Sequence, residues 1–178
     1  MAQTRRLVMQ ASKIHRVGDV EIFHFSDMSS ADGRGLVQQA INARRNAYAP
    51  YSGFKVGCAL VSQSNVVFYG CNVEYAHYKV THAERSALAA MVVSGQLNIR
   101  MLVLAGATAD REFNLTPKDI DLGKINVSSM VTSCGDCRQI ISEHCNGDNR
   151  VPILSVNTEG FVFRASIGVL LPHVFTLR

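Results

Sequence analysis

Two periods alternate in the pattern of hydrophobic and polar positions along this chain, and each period predicts one kind of element. Apolar residues at every second position, or in short continuous runs, predict β-strands, whereas apolar residues three and four positions apart predict helices with one buried face. The first helical stripe contains Leu36, Ala40, Ala43 and Ala47 and ends before Pro50. The predicted helices run from Gly35 to about Tyr48, from Thr81 to Gly95 and from Ser133 to Glu143, and the predicted strands are 20–25, 54–61, 66–73, 99–105, 151–156 and 161–165.

The order of these elements predicts a mixed β-sheet with helices on both of its faces. Residues 1–30 are expected to form an N-terminal extension with one edge strand, and residues 31–178 a single domain. Within that domain, residues 74–80 are expected to be a loop, and the charged, irregular stretch 107–129 is expected to be a surface insertion. A short terminal element is expected over residues 167–171.

Composition and charge narrow the function classes. The chain has 178 residues, of which 47% are hydrophobic, which suits one well-packed domain and is too short for two ordinary ones. Its net charge of +4 comes from scattered basic residues, which argues against a nucleic-acid partner, and no apolar run has the length of a membrane span. Five cysteines, an odd number without a secretion signal, indicate a reducing compartment, so a cytoplasmic location is expected.

A histidine, a glutamate and two cysteines have the spacing of a zinc site. His82 and Glu84 are two residues apart at the start of the second predicted helix, and Cys134 and Cys137 are three apart at the start of the third. The partial positive charge of helix N-termini favours thiolates over thiols and therefore favours metal binding. Three nitrogen and sulfur ligands would leave one coordination position of Zn²⁺ open, as a catalytic site requires.

Each half of this pattern also has a simpler interpretation. Thr81 and Glu84 match a capping box, in which the glutamate side chain only accepts a hydrogen bond from the backbone amide of the helix cap. The two cysteines could be a redox pair or half of a structural zinc site, for which His144 or Cys145 would have to supply the fourth ligand. The occurrence of both halves at helix starts favours the zinc interpretation.

Five motifs follow one another in a fixed order along most of the chain. They are Pro50-Tyr51-Ser52-Gly53-Phe54-Lys55-Val56-Gly57, Gly70-Cys71-Asn72-Val73-Glu74, His82-Ala83-Glu84-Arg85, Cys134-Gly135-Asp136-Cys137-Arg138-Gln139 and Leu170-Leu171-Pro172. With these motifs the chain, from about Gly35 to Phe175, resembles the cytidine deaminases that act on free nucleosides. The resemblance implies a three-layer α/β/α sandwich around a five-stranded mixed sheet.

The resemblance also implies a role for each matched residue. It implies that Zn²⁺ is bound by His82, Cys134 and Cys137, and that Glu84 carries protons between a water molecule and the pyrimidine ring. The implied substrate contacts are Asn72 and Glu74 to the ribose hydroxyls, Phe54 against the nucleoside, and the backbone carbonyls of Ala83 and Ser133 to the base.

The implied reaction is the hydrolytic deamination of a free aminopyrimidine nucleoside, in which cytidine or deoxycytidine becomes uridine or deoxyuridine and ammonia is released. Zn²⁺ is the implied cofactor and the nucleoside is the implied partner. A homo-oligomer is expected, a tetramer before a dimer, because small members of the family are usually homotetramers and histidine-type members are often dimers. Three alternatives stay open: a deaminase of a modified or antibiotic cytosine nucleoside of the blasticidin type, a nucleic-acid-editing deaminase, and a zinc-binding protein without catalytic activity.

Several positions depart from the family pattern. Ser133 stands where the family usually has proline, and His77 is atypical for the segment before the zinc helix. Arg85 follows a histidine-type site, although such an arginine is typical of members with three cysteine ligands, where it offsets thiolate charge. Because one imidazole and two thiolates already balance Zn²⁺, Arg85 is expected to add positive charge and make the zinc more electrophilic. Phe175 lies near the position of a C-terminal aromatic residue that reaches a neighbouring subunit's site in small members.

Overall fold

The elements follow one another in the predicted order, with one additional N-terminal strand and a small hairpin before the second helix. The computed structural model describes residues 14–31, 33–118, 125 and 130–177. In that part of the chain, no helix has the length and apolar character needed to cross a membrane. The strands are β1 (His15–Val17), β2 (Val20–His24), β3 (Phe54–Ser62), β4 (Val67–Cys71), β5 (Val73–Tyr75), β6 (Lys79–Thr81), β7 (Ile99–Thr108), β8 (Pro152–Val156) and β9 (Phe161–Ser166), and the helices are α1 (Arg34–Arg45), α2 (Ala83–Val93), α3 (Gly135–Glu143) and α4 (Ile167–Leu170).

The main sheet is mixed and lies between two layers of helices. Its strand order is β1-β2-β9-β8-β7-β3-β4, with β7 and β8 parallel and the other neighbouring pairs antiparallel. Strand β7 lacks a polar face because both of its faces are covered. Leu102 and Leu104 pack with α2 and α3, whereas Val103 and Ala105 pack with α1. This arrangement confirms the three-layer α/β/α sandwich.

The sheet has seven strands rather than the five that the family resemblance implies. Strands β9 to β4 form the expected five-stranded part, and β1 and β2 extend it beyond β9. Pairing of β2 with β9 places Glu21 opposite Arg164, whose Nε donates to the Glu21 carboxylate over 2.6 Å. The prediction that β2 is an edge strand is wrong, because β1 covers its outer side. The division between residues 1–30 and 31–178 stays a prediction.

The predicted loop over residues 74–80 is a hairpin instead. Strands β5 and β6 pair antiparallel and form a small second sheet. A parallel bridge between Tyr48 and Val73 joins this hairpin to the segment after α1. The apolar and polar positions of so short a pair give no period that separates it from a loop.

The predicted surface insertion over residues 107–129 begins inside the fold. Strand β7 continues to Thr108, and the side chains of Phe113 and Leu115 pack against the core on the α1 face of the sheet. The rest of the predicted insertion, apart from residues 125 and 130, falls on positions 119–129 and lies outside the described residues.

Close contact between α2 and β4 places the second helix directly on the sheet. A Cβ atom on Gly70 would lie 2.5 Å from the amide nitrogen of Ala87 and 2.8 Å from the carbonyl oxygen of Ala83. Side-chain carbons do not come this close to backbone atoms, so a larger residue at position 70 would push the start of α2 away from β4. Glycine at this position therefore sets the height at which the first turn of α2 lies above the sheet.

Candidate metal centre and active-site cavity

The three predicted metal ligands lie at the starts of two helices. His82 is the N-cap of α2, Cys134 is the N-cap of α3, and Cys137 lies in the first turn of α3. Both helices begin later than the sequence predicts, so the expected caps Thr81 and Ser133 are wrong. The side chains of the two capping residues make no bond to their own helices, because they face each other instead.

The three ligand atoms converge on one point. Nδ1 of His82 lies 3.1 Å from Sγ of Cys137 and 3.4 Å from Sγ of Cys134, and the three atoms all lie within 4.8 Å of one another. Bonds of roughly 2.0–2.3 Å from nitrogen and sulfur to one zinc ion hold such atoms about 3–4 Å apart. The spacing of the donor atoms therefore suits a single zinc ion.

Within the described part of the chain, no fourth His, Cys, Asp or Glu joins this group. The two residues considered as a fourth ligand are engaged at the other end of α3. Sγ of Cys145 donates to the carbonyl of Ile141 over 3.1 Å, and Nδ1 of His144 lies 2.6 Å from the carbonyl oxygen of Leu97. The arrangement is thus that of a site with three protein ligands, which leaves a coordination position for chemistry.

The chemistry of the donor set also suits zinc. The Cys137 side chain is fully buried, and burial, followed by the charge of Glu84, raises the pKa of its thiol well above the ordinary value. A thiol in these surroundings needs a cation beside it to become a thiolate. Zn²⁺ is the common ion that prefers imidazole and thiolate together, and the positive ends of two helices support the same charge distribution.

Glu84 lies beside the ligands without being one of them. It is the second residue of α2, it is 5% exposed, and it lines the same cavity as His82. Its charge contributes to raising the pKa values of the Cys58 and Cys137 thiols, which places the carboxylate close to both. The capping-box interpretation is wrong, because the cap is His82 and Glu84 follows it by two residues rather than three.

A cavity of about 220 Å³ opens beside this centre. All of the predicted site residues line it except Cys137 and Ser133. Its walls come from β3, the β5–β6 hairpin, the start of α2 and the segment before α3. Five further lining residues were not identified from the sequence, namely Ser52, Val56, Val80, Val131 and Thr132.

The backbone of β3 fixes the side chain of Asn72. Its Oδ1 accepts from the amide of Val56 over 2.8 Å, and its Nδ2 donates to the carbonyl of Phe54 over 2.9 Å. A primary amide carries two N–H groups, so a second donor is available for a ligand. Asn72 therefore presents one oriented N–H group at the cavity wall.

Glu74 is fixed by a turn that the sequence analysis did not single out. One of its carboxylate oxygens accepts from the amides of Tyr51 and Ser52 over 2.9 and 3.1 Å, and the other accepts from the Ser52 hydroxyl. The bond from Ser52, with the two amides, holds the pKa of Glu74 below its ordinary value. The only sequence signal was the position of Ser52 inside a matched motif, because the contact crosses between distant segments.

The backbone groups of Ala83 and Ser133 differ from the expectation. Ala83 is the first residue of α2, so its carbonyl belongs to the helical hydrogen-bond ladder, whereas its amide has no partner within the helix. The group that Ala83 can offer to a ligand is therefore its amide. Ser133 is 2% exposed, its hydroxyl has no hydrogen-bond partner among the described residues, and the neighbouring Thr132 lines the cavity.

The charge of Arg85 is balanced by a neighbour. Its guanidinium forms an ion pair with the carboxylate of Asp136, which lies between the two cysteine ligands. The expectation that Arg85 adds net positive charge to the centre therefore needs correction. The sequence gave no sign of this pairing, since the two residues are 51 positions apart.

Two other residues discussed from the sequence do not line the cavity. The His77 ring lies near the tip of the β5–β6 hairpin, with its centroid 5.7 Å from that of Tyr75. The Phe175 residue is 69% exposed, and its backbone is held by the side chain of Gln139, which accepts from its amide over 3.1 Å and donates to its carbonyl over 2.8 Å.

The chain is similar to proteins of one family over most of its length. A family model described as the cytidine and deoxycytidylate deaminase zinc-binding region matches residues 31–154. A cytidine deaminase of Sporosarcina psychrophila is 33% identical over 146 residues, which cover 82% of this chain and 92% of that protein. A cytidine deaminase of Halalkalibacterium halodurans is 34% identical over 146 residues, which cover 82% of this chain and 95% of that protein.

Solved structures with this fold point the same way. The crystal structure of a cytidine deaminase from Burkholderia pseudomallei matches with a TM-score of 0.65 and 34% identity, covering 83% of this chain and 100% of that one. A cytidine deaminase from Mycobacterium tuberculosis matches with a TM-score of 0.61 and 28% identity, covering 82% of this chain and 98% of that one. The similarity thus extends beyond the metal centre to the layers that position it.

Proposed function

This chain belongs to the cytidine deaminase family, and on that premise we propose that His82, Cys134, Cys137 and Glu84 carry out its reaction. The reaction is the zinc-dependent hydrolysis of cytidine to uridine and ammonia. One observation supports this assignment of residues above all others. An imidazole nitrogen and two thiol sulfurs lie within 4.8 Å of one another beside a cavity that also contains a buried glutamate.

The residues act on protons and on substrate position. Zinc supplies, when bound, a Lewis acid that makes a water molecule acidic near neutral pH. Glu84 accepts a proton from that water and gives it to ring nitrogen N3 while the oxygen bonds to C4. Glu84 then accepts the remaining hydroxyl proton and gives it to the exocyclic amine, so that the C4–N bond breaks and ammonia leaves. A carboxylate suits this task because it can accept and donate protons in turn.

We assign the ribose to Asn72 and Glu74. The second N–H group of Asn72 can donate to a hydroxyl, and the Glu74 carboxylate can accept from one. Both side chains are already held by protein hydrogen bonds, so they lose little freedom when a substrate binds. Two rigid polar groups at the cavity wall favour a nucleoside over a free base.

We assign the base to Phe54 and to the backbone around Ala83 and Ser133. Phe54 is half-exposed and lines the cavity, where its ring can pack against the nucleoside. The unpaired amide of Ala83 can donate to an oxygen of the base, and a carbonyl in the segment before Cys134 can accept from its amine. A base without the matching groups leaves these polar groups unpaired, which makes such contacts selective.

A panel of substrates tests the proposed function. We expect the purified protein to release ammonia from cytidine and deoxycytidine, with loss of the ultraviolet absorbance of the cytosine ring, and not from adenosine or guanosine. Free cytosine lacks the ribose contacts, and two lost hydrogen bonds should lower its kcat/KM by roughly 10²-fold or more.

The same panel can contradict each part of the proposal. Equal turnover of cytosine and cytidine would remove Asn72 and Glu74 from ribose binding. Absence of ammonia from both cytosine nucleosides would overturn the proposed function. Preferred turnover of a modified or blasticidin-type cytosine nucleoside would replace cytidine as the substrate while keeping the reaction.

We propose that the chain works as a homo-oligomer, a tetramer before a dimer. Val174, Phe175 and Leu177 expose apolar side chains along the C-terminal segment, and neighbouring exposed apolar groups mark interaction sites. Light scattering of the purified protein is expected to give about four times the mass of one chain. A mass equal to that of one chain at micromolar concentration would contradict the proposal.

We also propose a cytoplasmic location. All five cysteines are free thiols, and three of them are buried within the fold. Thiols of this kind persist in reducing compartments, where disulfides are rare.

A further inference from the structure

An ion pair joins the two helix starts that carry the metal ligands. Arg85 lies in the first turn of α2, directly after Glu84, and Asp136 lies in the first turn of α3 between the two cysteines. The guanidinium and the carboxylate are in contact, with side chains that are 43% and 61% exposed. Of the ion pairs formed by the described residues, this is the one that links α2 to α3.

The guanidinium of Arg85 also interacts with a metal ligand. The pKa of Arg85 lies above its ordinary value, first because of its hydrogen bond to Asp136 and in smaller part because of a hydrogen bond to Cys137. A guanidinium carries five N–H donors in a planar fork, so it can donate to a carboxylate and to a sulfur at the same time. The group that contacts the Cys137 sulfur is therefore itself held by Asp136.

We propose that Asp136 is a positioning residue for the zinc centre, which holds Arg85 against the Cys137 sulfur and thereby slows release of the ion. The inference rests on the proposed function, since it requires zinc at His82, Cys134 and Cys137. Two thiolates balance the charge of Zn²⁺, and Asp136 balances Arg85. The pair therefore orients a ligand and ties two helix starts together without changing the net charge of the centre.

An ion pair that served only the fold would behave differently. Exposed pairs add little to stability, and salt screens them. Loss of such a pair would lower the melting temperature of the metal-free protein, if it changed anything, and would leave zinc release unaffected. Groups that bond to metal ligands from outside instead change metal affinity, typically by roughly 10–100-fold when they are removed.

Zinc release from the loaded protein separates these roles. We would mix zinc-loaded protein with an excess of a chromogenic chelator and measure the release rate for Asp136→Asn, Arg85→Gln and the double variant. Each single change is expected to speed release by about tenfold. The double variant is expected to release zinc no faster than Arg85→Gln alone, because Asp136 acts through Arg85. Arg85→Lys should resemble Arg85→Gln, since one ammonium cannot serve both partners in the same geometry.

A matched control breaks another ion pair near the opposite end of α3. Asp148→Asn removes the pair with Arg150, and zinc release should stay at the wild-type rate. Wild-type release from Asp136→Asn overturns the proposal, as does an equal acceleration by Asp136→Asn in the Arg85→Gln background. A lower melting temperature of metal-free Asp136→Asn, with release unchanged, assigns the pair to the fold.

The outcome for the wild-type protein separates this inference from the proposed function. A protein that turns over cytidine with one zinc per chain, but whose zinc release ignores Asp136→Asn, loses only the positioning role. A wild-type protein that binds no zinc at all overturns the proposed function and this inference together.

Discussion

Replacing Glu84 with glutamine should remove turnover of cytidine while the protein keeps its zinc and its fold. Glutamine has nearly the same shape and can still accept hydrogen bonds, but it cannot take a proton from water and return it to the ring. Loss of one acid–base group typically lowers a rate by roughly 10²–10⁴-fold, and Glu84 is assigned both proton transfers, so the upper end is expected. Ammonia release, measured against zinc content and melting temperature, provides the check.

The structure offers a matched control for this change. Glu143 is the last residue of α3, away from the cavity, and Glu143→Gln makes the same chemical change without touching the site. It should leave kcat and KM near their wild-type values. If Glu84→Gln retains a tenth or more of the activity, Glu84 is not the proton carrier. If it loses zinc as well, Glu84 has a role in building the metal centre.

Replacing Cys137 with alanine should abolish zinc binding and activity together. Cys137 is fully buried and supplies one of only three ligand atoms, so its loss leaves two ligands and an incomplete site. Metal binding contributes to the stability of a folded site, and the variant should therefore also unfold at a lower temperature. Elemental analysis of the purified variant is expected to show well below one zinc per chain.

Cys145→Ala separates the loss of a ligand from the loss of a packed thiol. Cys145 lies just after the same helix, is also buried, and donates to the carbonyl of Ile141 rather than facing the metal centre. This variant should lose some stability and keep its zinc. Full zinc content in Cys137→Ala, or equal zinc loss in both variants, would show that Cys137 is not a ligand.

The elements that the sequence predicts well are those with long, regular patterns. The stripe of α1, the apolar run of β7 and the hairpin of β3 and β4 all follow from side-chain period, because one face or both faces of each element are buried. The metal ligands could be proposed from spacing alone, since His82, Cys134 and Cys137 are rare residue types at helix starts. Burial and ligand chemistry are therefore the parts of the structure that local sequence reports most directly.

The errors come from contacts between distant segments. Thr81 and Ser133 are good helix caps by preference, yet the ligands His82 and Cys134 occupy the capping positions, where their side chains can turn toward the metal. Tertiary geometry overrides a local preference worth only about 1 kcal/mol.

The contacts that support the site were also hidden from the sequence. Glu74 is held by Ser52, and Arg85 is paired with Asp136, across separations of 22 and 51 residues. Nothing in the local pattern around either residue specifies its partner. Side chains that fix a functional group from outside are therefore harder to predict than the functional group itself.

The strands β1 and β2 have a consequence for how the molecule keeps apart from its copies. Without them, β9 would end the sheet with a row of unpaired N–H and C=O groups flanked by Phe161 and Val162, which are now buried. Such a row is a template onto which another chain can add a strand, the first step toward aggregation. The N-terminal hairpin replaces that row with the short, charged β1, whose Arg16 pairs with Glu21 of β2. A chain shortened to begin after His24 would keep every residue of the metal centre and lose this guard against self-association.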